Sequence, residues 1–305
     1  MISRAKSWPP KIKKPATWLV VGGDGLIGRR LAVDATRFAD RVVVSSHRPL
    51  LQTGKLFLDL AAGTDRSVLV SVAADVVFLC AAMTSMQFCH DNPDLSRQTN
   101  VNGTVRLASE LVKLGCFIVF LSSNAVFDGN TEKPDEDSLY CPTTEYGRQK
   151  VSTEQQLMAL SENSGSVAIV RLSKVLTSVS GTSAEFVKHL KAGEPCPAFD
   201  NLRLSPVSLS YVVDALLAVA NARHPGIFHL SGAEEMTYAD FARRLASYTG
   251  ADPALVRPLS SESPDVRVLF RPEHPALGMR RTTKLLGITP EPTSHLLERL
   301  VMRSE

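Results

Sequence analysis

The 305-residue chain has no long apolar run, no strong excess of charge of either sign and no paired pattern of cysteines. Its five cysteines, Cys80, Cys89, Cys116, Cys141 and Cys196, are odd in number, and none stands in the C-x-x-C or Cys/His spacing of a zinc site. A disulfide scaffold and a metal site are therefore not expected, and a reducing compartment is. Cys80 and Cys116 fall in or beside apolar strand-like runs, where a thiol behaves as a small core residue. No segment approaches the length needed to span a bilayer. A net charge of +3 sets up no basic field for nucleic acid. Arg4, Lys6, Lys11, Lys13 and Lys14 read as a flexible, solvated arm over residues 1–15. They do not read as a secretory signal, because glycine breaks the apolar run at 18–21 that follows them. A cytoplasmic protein with no membrane or nucleic-acid partner is expected. Internal repeats and low-complexity segments are also lacking.

What is present is ordinary globular composition, 44% apolar and 21% charged, in a chain long enough to bury a sizeable core. Apolar runs at 18–21, 42–44, 56–58, 76–79, 117–121 and 167–170 read as six short strands. Helical spacing follows the first of them through Leu26, Ile27 and Leu31, and recurs at 100–114 and at about 144–160. Such alternation predicts an α/β fold, a doubly wound parallel-sheet Rossmann domain over residues 1–171. Beyond Arg171 prolines become frequent and the alternation fades. Residues 172–305 therefore read as a smaller, loop-rich α/β substrate-binding domain. Helices are expected there at about 211–221 and from Thr237, which forms a capping box with Asp240, to near Gly250. Within 204–232 the run at 226–230 is expected to return to the main sheet.

Three motifs carry chemistry. Gly22-Gly23-Asp24-Gly25-Leu26-Ile27-Gly28 lies between the first strand and the first helix. Glycines there allow a tight turn and a close approach to a pyrophosphate, with free N–H groups at the helix start. Tyr146 and Lys150 are four residues apart, on one face of a helix, and the ammonium is expected to lower the phenol pKa. Ser122 and Ser123 lie at the carboxyl end of the fifth strand, the edge where doubly wound sheets bind ligands.

Together, in this order, the three motifs resemble the extended short-chain dehydrogenase/reductase superfamily. Gly22, Gly25 and Gly28 match its glycine fingerprint, Ser123 its catalytic hydroxyl, and Tyr146 and Lys150 its Tyr-x-x-x-Lys pair. Asp59-Leu60 is similar to its adenine-contacting acid, Cys80-Ala81-Ala82 to its small-residue run under the cofactor, and Asn100-Val101-Asn102-Gly103-Thr104 to its N-V-x-G-T helix. Within the superfamily the likeness is closest to the dTDP-4-dehydrorhamnose reductase group, through 121–129, 142–150, Pro206-Val207-Ser208 and 226–232. Asn124-Ala125 replaces that group's Asp-Tyr, and 83–90 lacks its acidic residues.

The resemblance implies NADP(H)-dependent reduction of a keto group on a nucleotide-linked sugar, with no metal. Tyr146 would donate the proton, Ser123 would hold the carbonyl oxygen, and Lys150 would bind the nicotinamide ribose. Ser123, Asn124 and Arg203 are the candidate substrate contacts, Arg203 through a substrate phosphate. Ser46, His47 and Arg48, in a stretch with no acid between Arg41 and Leu58, favour a 2′-phosphate over a bare ribose, with NAD(H) as the alternative cofactor. An NAD-dependent 4-epimerase and a non-catalytic NADP-binding regulatory subunit are the rival functions, and a homodimer is left open.

Overall fold

Thr17–Val21 (β1) carries Trp18, Leu19, Val20 and Val21, all buried although their side chains alternate between two faces. A strand buried on both faces belongs at the centre of a parallel sheet covered by helices on each side. The computed structural model, which describes residues 16–48, 54–264 and 266–302, places it there. The arm at 1–15 lies outside the described residues. Around β1 stand Arg41–Ser46 (β2), Leu56–Phe57 (β3), Val76–Leu79 (β4), Phe117–Ser123 (β5) and Val167–Leu172 (β6). The strand Gly226–Leu230 returns from the second half of the chain and pairs with β6, Ile227 opposite Ile169. The seven strands run in the order returning strand, β6, β5, β4, β1, β2, β3, and every pairing is parallel. The order reverses at β1, so a crevice opens at its carboxyl end between the connections to β2 and β4.

Two apolar layers sandwich the sheet. Trp18, Val20, Phe78, Val119, Val170 and Phe228 face one layer, with Leu31 of helix α1 (Leu26–Asp34) and Leu216 of the helix Leu209–Ala222. Leu19, Val21, Leu79, Ile118, Phe120 and Ile169 face the other, with Leu111 of Thr104–Lys113 and Leu157 of Glu145–Ser164. A separate cluster around Phe186, Leu204, Phe241, Leu245 and Leu296 forms the core of a second lobe. That lobe is built on the helices Gly181–Ala192, Tyr238–Thr249 and Thr293–Met302. The short helix Arg280–Leu286 goes back to the main sheet, where the Thr282 hydroxyl accepts from the His229 backbone N–H at 2.9 Å. The two halves of the chain thus interleave beyond 204–232.

The helix expected over 100–114 starts differently. Gln98–Gly103 is a wide π-helical turn, and regular helix begins only at Thr104. Gly103 packs directly on the Leu60 carbonyl, where a Cβ would collide. The turn widens where the helix must approach that backbone.

A buried ion pair joins four elements at the carboxyl edge. Arg171 on β6 and Glu154 on the helix Glu145–Ser164 are 1% and 0% exposed, and Nη2 lies 2.7 Å from Oε2. Tyr140 donates to the same oxygen at 3.0 Å, and the Ser122 hydroxyl donates to the other. His229 Nδ1 faces the Gly278 carbonyl at 2.8 Å and must donate, which leaves Nε2 to accept from Arg171 Nη1 at 3.2 Å. Burial and the neighbouring guanidinium push the His229 pKa down to about 4, so the ring is neutral at neutral pH. Removing one partner of such a pair strands a charge in the interior. Arg171→Ala is expected to cost about 3–5 kcal/mol in urea unfolding. A loss under about 1 kcal/mol would show that water reaches Glu154.

Candidate active site

The turn after β1 is tight because Gly22 has φ +89° and lies against Ala81, whose Cα would sit 2.7 Å from an added Cβ. Gly28, one turn into α1, packs on the Gly22 carbonyl. Helix α1 then starts at Leu26 with Gly25 as its cap and no side chain on its first N–H groups. Free donors beside bare backbone form a ready cradle for a phosphate.

In front of the cradle a cleft of about 690 Å³ runs along the carboxyl edge of the sheet. Gly25, Leu26, Ile27, Gly28, Cys80 and Ala82 line its cradle end, and Ser123, Asn124 and Tyr146 line its middle. Ser123 ends β5, and its Oγ accepts from the Ala125 N–H at 3.2 Å. The Asn124 amide donates to the Pro275 carbonyl at 3.1 Å, tying the strand end to the second lobe. A carboxylate could not make that bond, which gives this departure from the family's Asp a structural reason. Ala125 is fully buried, and its carbonyl meets Gly147, so the helix carrying Tyr146 approaches to backbone distance. Thr144 caps that helix by accepting from Gly147 N–H at 3.0 Å.

Tyr146 and Lys150 both lie inside, 8% and 5% exposed. The Lys150 ammonium donates to the Leu121 carbonyl at 2.7 Å, with the Phe120 ring at 4.5 Å and the Tyr146 ring at 5.7 Å. The expectation that lysine lowers the phenol pKa fails here. Burial pushes the Tyr146 pKa up, and the nearby Cys89 thiol adds to the shift. Burial also pushes Lys150 down to about 8, against the opposing pull of Glu154. Desolvation is the largest cause of both shifts, and neither group is among the causes of the other's.

The other expected residues fall outside the cleft wall. Asn100 is buried and binds Met83 through both backbone groups, at 2.8 and 2.9 Å, and Gln149 at 2.8 Å, so it clamps the loop after β4 to the tyrosine helix. Asp59 accepts from the Ala61 N–H at 2.8 Å, and Leu60 is buried in the core. Ser46 is buried while His47 and Arg48 are exposed at the end of β2. Pro49, which follows Arg48, lies outside the described residues. The absence of acid in that stretch holds along the sequence and not in space. Asp24 reaches over from the glycine loop, accepts from the Ser46 hydroxyl and pairs with Lys55 Nζ at 2.5 Å.

Opposite the tyrosine the second lobe supplies a polar wall, of which the sequence identified only Arg203. Arg203 Nη2 lies 3.7 Å from Glu235, while its buried Nε has no partner. Ser173, with a buried unpartnered hydroxyl, and Lys174 also line the cleft. Lys174 is exposed as a whole residue, and the desolvation of its ammonium beside the cleft lowers its pKa. Both directly follow β6, so the rule that ligands meet carboxyl ends of strands was the signal that would have found them. Among the described residues no cluster of His, Cys, Asp or Glu is arranged to hold a metal, and no helix is long and apolar enough to cross a membrane.

Over nearly its whole described length the chain is similar to known proteins. The family model described as RmlD substrate binding domain matches residues 16–305. A dTDP-4-dehydrorhamnose reductase of Mycobacterium tuberculosis is 32% identical over 227 residues, 71% of this chain and 72% of that one. A probable low-salt glycan biosynthesis reductase of Haloferax volcanii is 29% identical over 90% of this chain and 93% of its own length. Among solved structures, dTDP-4-dehydrorhamnose reductase from Bacillus anthracis in complex with NADP superposes with a TM-score of 0.81 at 20% identity, covering 94% and 99% of the two chains.

The lowered Lys150 pKa has a measurable consequence. Between about pH 8 and the ordinary lysine value of 10.5 the unfolded chain holds the extra proton, so this residue's share of stability is present above the window and lost as pH falls through it. Relative to Lys150→Met, wild-type stability should rise across the window by up to roughly 1.4 kcal/mol per pH unit. Urea unfolding at successive pH values reads the difference, and a flat profile would mean that Lys150 ionises as it does in water.

Proposed function

The chain belongs to the RmlD substrate binding domain family, and from that premise we propose that it is an NADPH-dependent reductase of a keto group on a nucleotide-linked sugar. The carrying observation is that Ser123 and Tyr146 meet in one cleft with the glycine cradle, Lys150 lying directly beneath. The cradle fits a dinucleotide, since the space a Cβ would fill at Gly22 and Gly28 is closed and the start of α1 is bare of side-chain caps. Gly22, Gly25, Leu26, Ile27 and Gly28 would hold the pyrophosphate. Cys80, Ala81 and Ala82 would floor the site, Asp59 and Leu60 would flank the adenine, and Asn100 would keep the floor in register. Ser46, His47 and Arg48 would meet the 2′-phosphate. When bound, NADPH supplies the hydride.

The chain's own groups do the rest. Tyr146 holds a proton for the carbonyl oxygen, and its raised pKa keeps the phenol protonated at neutral pH, as an acid in the reductive direction requires. Ser123 orients the same oxygen. Lys150, fixed on the Leu121 carbonyl, offers its remaining N–H donors to the nicotinamide ribose. Across the cleft, Ser173, Lys174 and Arg203 suit the diphosphate of a nucleotide-linked sugar, because partly desolvated cations and a free hydroxyl make strong bonds to phosphate oxygens. Asn124 closes the cleft onto the Pro275 segment. We place the reaction in the cytoplasm, where this cofactor and these sugars are available.

Stopped assays of NADPH oxidation with a panel of nucleotide-linked 4-ketosugars test the reading. Tyr146→Phe should keep cofactor affinity and lose about 10²-fold or more in turnover. Turnover near the wild-type value would remove Tyr146 from the chemistry and favour a non-catalytic, NADP-binding role. Lys174→Gln and Arg203→Gln should each raise the sugar's KM by roughly tenfold with little change in kcat, the pattern of lost uniform binding. An unchanged KM in a folded Arg203 variant would leave that residue a purely structural partner of Glu235.

A further inference from the structure

At the end of β2 the structure holds an ion pair for which the proposed chemistry has no use. Asp24 sits inside the glycine loop, yet its carboxylate turns away from the cleft and toward the neighbouring strand. One oxygen accepts from the Ser46 hydroxyl, and the other lies 2.5 Å from Lys55 Nζ. The loop is stitched to β2 beneath this contact. Gly23 N–H donates to the Ser45 carbonyl at 2.9 Å and Gly22 N–H to the Ser45 hydroxyl at 3.3 Å. Arg29 holds the Asp24 carbonyl at 3.0 Å from the far side. The backbone on both sides is therefore fixed, and the carboxylate has a set position. Its side chain is 20% exposed and that of Lys55 29%, so the pair borders solvent without being immersed in it. Lys55, then Ser46, and Arg48 at longer range hold the Asp24 pKa below the usual carboxylate value.

Rossmann domains read the adenosine ribose at this place. An acid accepts from the ribose 2′-hydroxyl, whereas a cation takes a 2′-phosphate. This chain offers both, the acid from the glycine loop and the cations from either side of it. We propose that Asp24 and Lys55 together set the preference for the cofactor's 2′ group: Asp24 accepts from a 2′-hydroxyl and opposes a 2′-phosphate, and Lys55 reverses that opposition. The inference rests on the reading that the adenosine end of the nicotinamide cofactor lies at the end of β2. Among the described residues, Lys55, Arg48 and Arg29 outnumber Asp24 around Ser46 and leave the place net positive, against a 2′-phosphate that carries nearly two negative charges. A phosphate entering there takes the Ser46 and Lys55 protons that Asp24 now accepts. A hydroxyl entering there donates to Asp24 and leaves Lys55 where it is. Asp24 is thus the residue that restrains discrimination in favour of NADPH.

The test is binding without substrate or turnover. Dissociation constants are measured by calorimetry for NADPH and NADH, and for adenosine 2′,5′-bisphosphate and adenosine 5′-monophosphate, on wild type, Asp24→Asn, Lys55→Met and Arg48→Ala. Asp24→Asn should tighten the 2′-phosphorylated member of each pair and weaken the other, widening the ratio of constants by roughly tenfold or more. Lys55→Met should narrow it to a similar degree. An unchanged ratio in Asp24→Asn, with Arg48→Ala still narrowing it, overturns the proposal and leaves the cofactor reading intact. Unchanged ratios in both place the adenosine end elsewhere, and the reading falls with the proposal. Asp24→Ser retains a small polar group in the loop and decides the question if the asparagine variant melts well below wild type.

Discussion

The Arg171–Glu154 pair is the constraint from which the geometry of the active edge follows. Neither charge touches water, so each is tolerable only while the other and its hydrogen-bond partners stay in place. Those partners come from β5 through Ser122, from the returning strand through His229, and from the loop before the tyrosine helix through Tyr140. Fixing Ser122 fixes Ser123 beside it. Fixing Glu154 fixes the helix one turn beyond Lys150 and two beyond Tyr146. The rings of Phe127 and Tyr140 lie about the guanidinium at 5.1 and 4.9 Å, and help exclude water from it. A polar cluster with no place in the proposed chemistry thereby sets the distances between Ser123, Tyr146 and Lys150.

Burial governs the electrostatics of the site in the same way. Tyr146 and Lys150 are too deeply placed for either to keep its ordinary pKa, and their shifts run in opposite directions. The phenol keeps its proton because phenolate is poorly solvated there. The ammonium is held by a carbonyl, an aromatic face and the distant Glu154 carboxylate. For the proposed reaction the arrangement is favourable, since a phenol cast as the acid would be in its protonated form at the start.

The second lobe attaches to this edge through a few polar contacts. Glu235 receives the Ala276 N–H at 2.8 Å, lies 3.2 Å from His274 Nδ1, and stands 3.7 Å from Arg203. Asn124 meets the neighbouring Pro275 carbonyl from the other side. The segment 274–276 is therefore pinned between the lobes, and the cationic wall faces the tyrosine at a set distance. Both residues at the departure from the family's Asp-Tyr take part in packing, Asn124 across the cleft and Ala125 against Gly147.

Sequence alone determined the layered fold, because strands of a parallel sheet are buried on both faces and show up as short apolar runs wherever helices intervene. The runs at 76–79 and 226–230 coincide with strands, and Gly22 and Gly28 announced a backbone approach that side chains would block. Spacing along one helix also brought Tyr146 and Lys150 together. Tertiary structure decided everything that depends on desolvation or on residues far apart in the chain. Whether lysine lowers the phenol pKa is a contest between a charge and its burial, and burial is invisible in spacing. The helices at 66–72, 181–192 and 293–302 were missed because their apolar residues face neighbours that the fold alone supplies. Ser173 and Lys174 became cleft residues only when the second lobe closed over the end of β6. The acid beside Ser46 had no counterpart in the local sequence, since Asp24 reaches it across the gap between a loop and the next strand, a distance that exists only after folding.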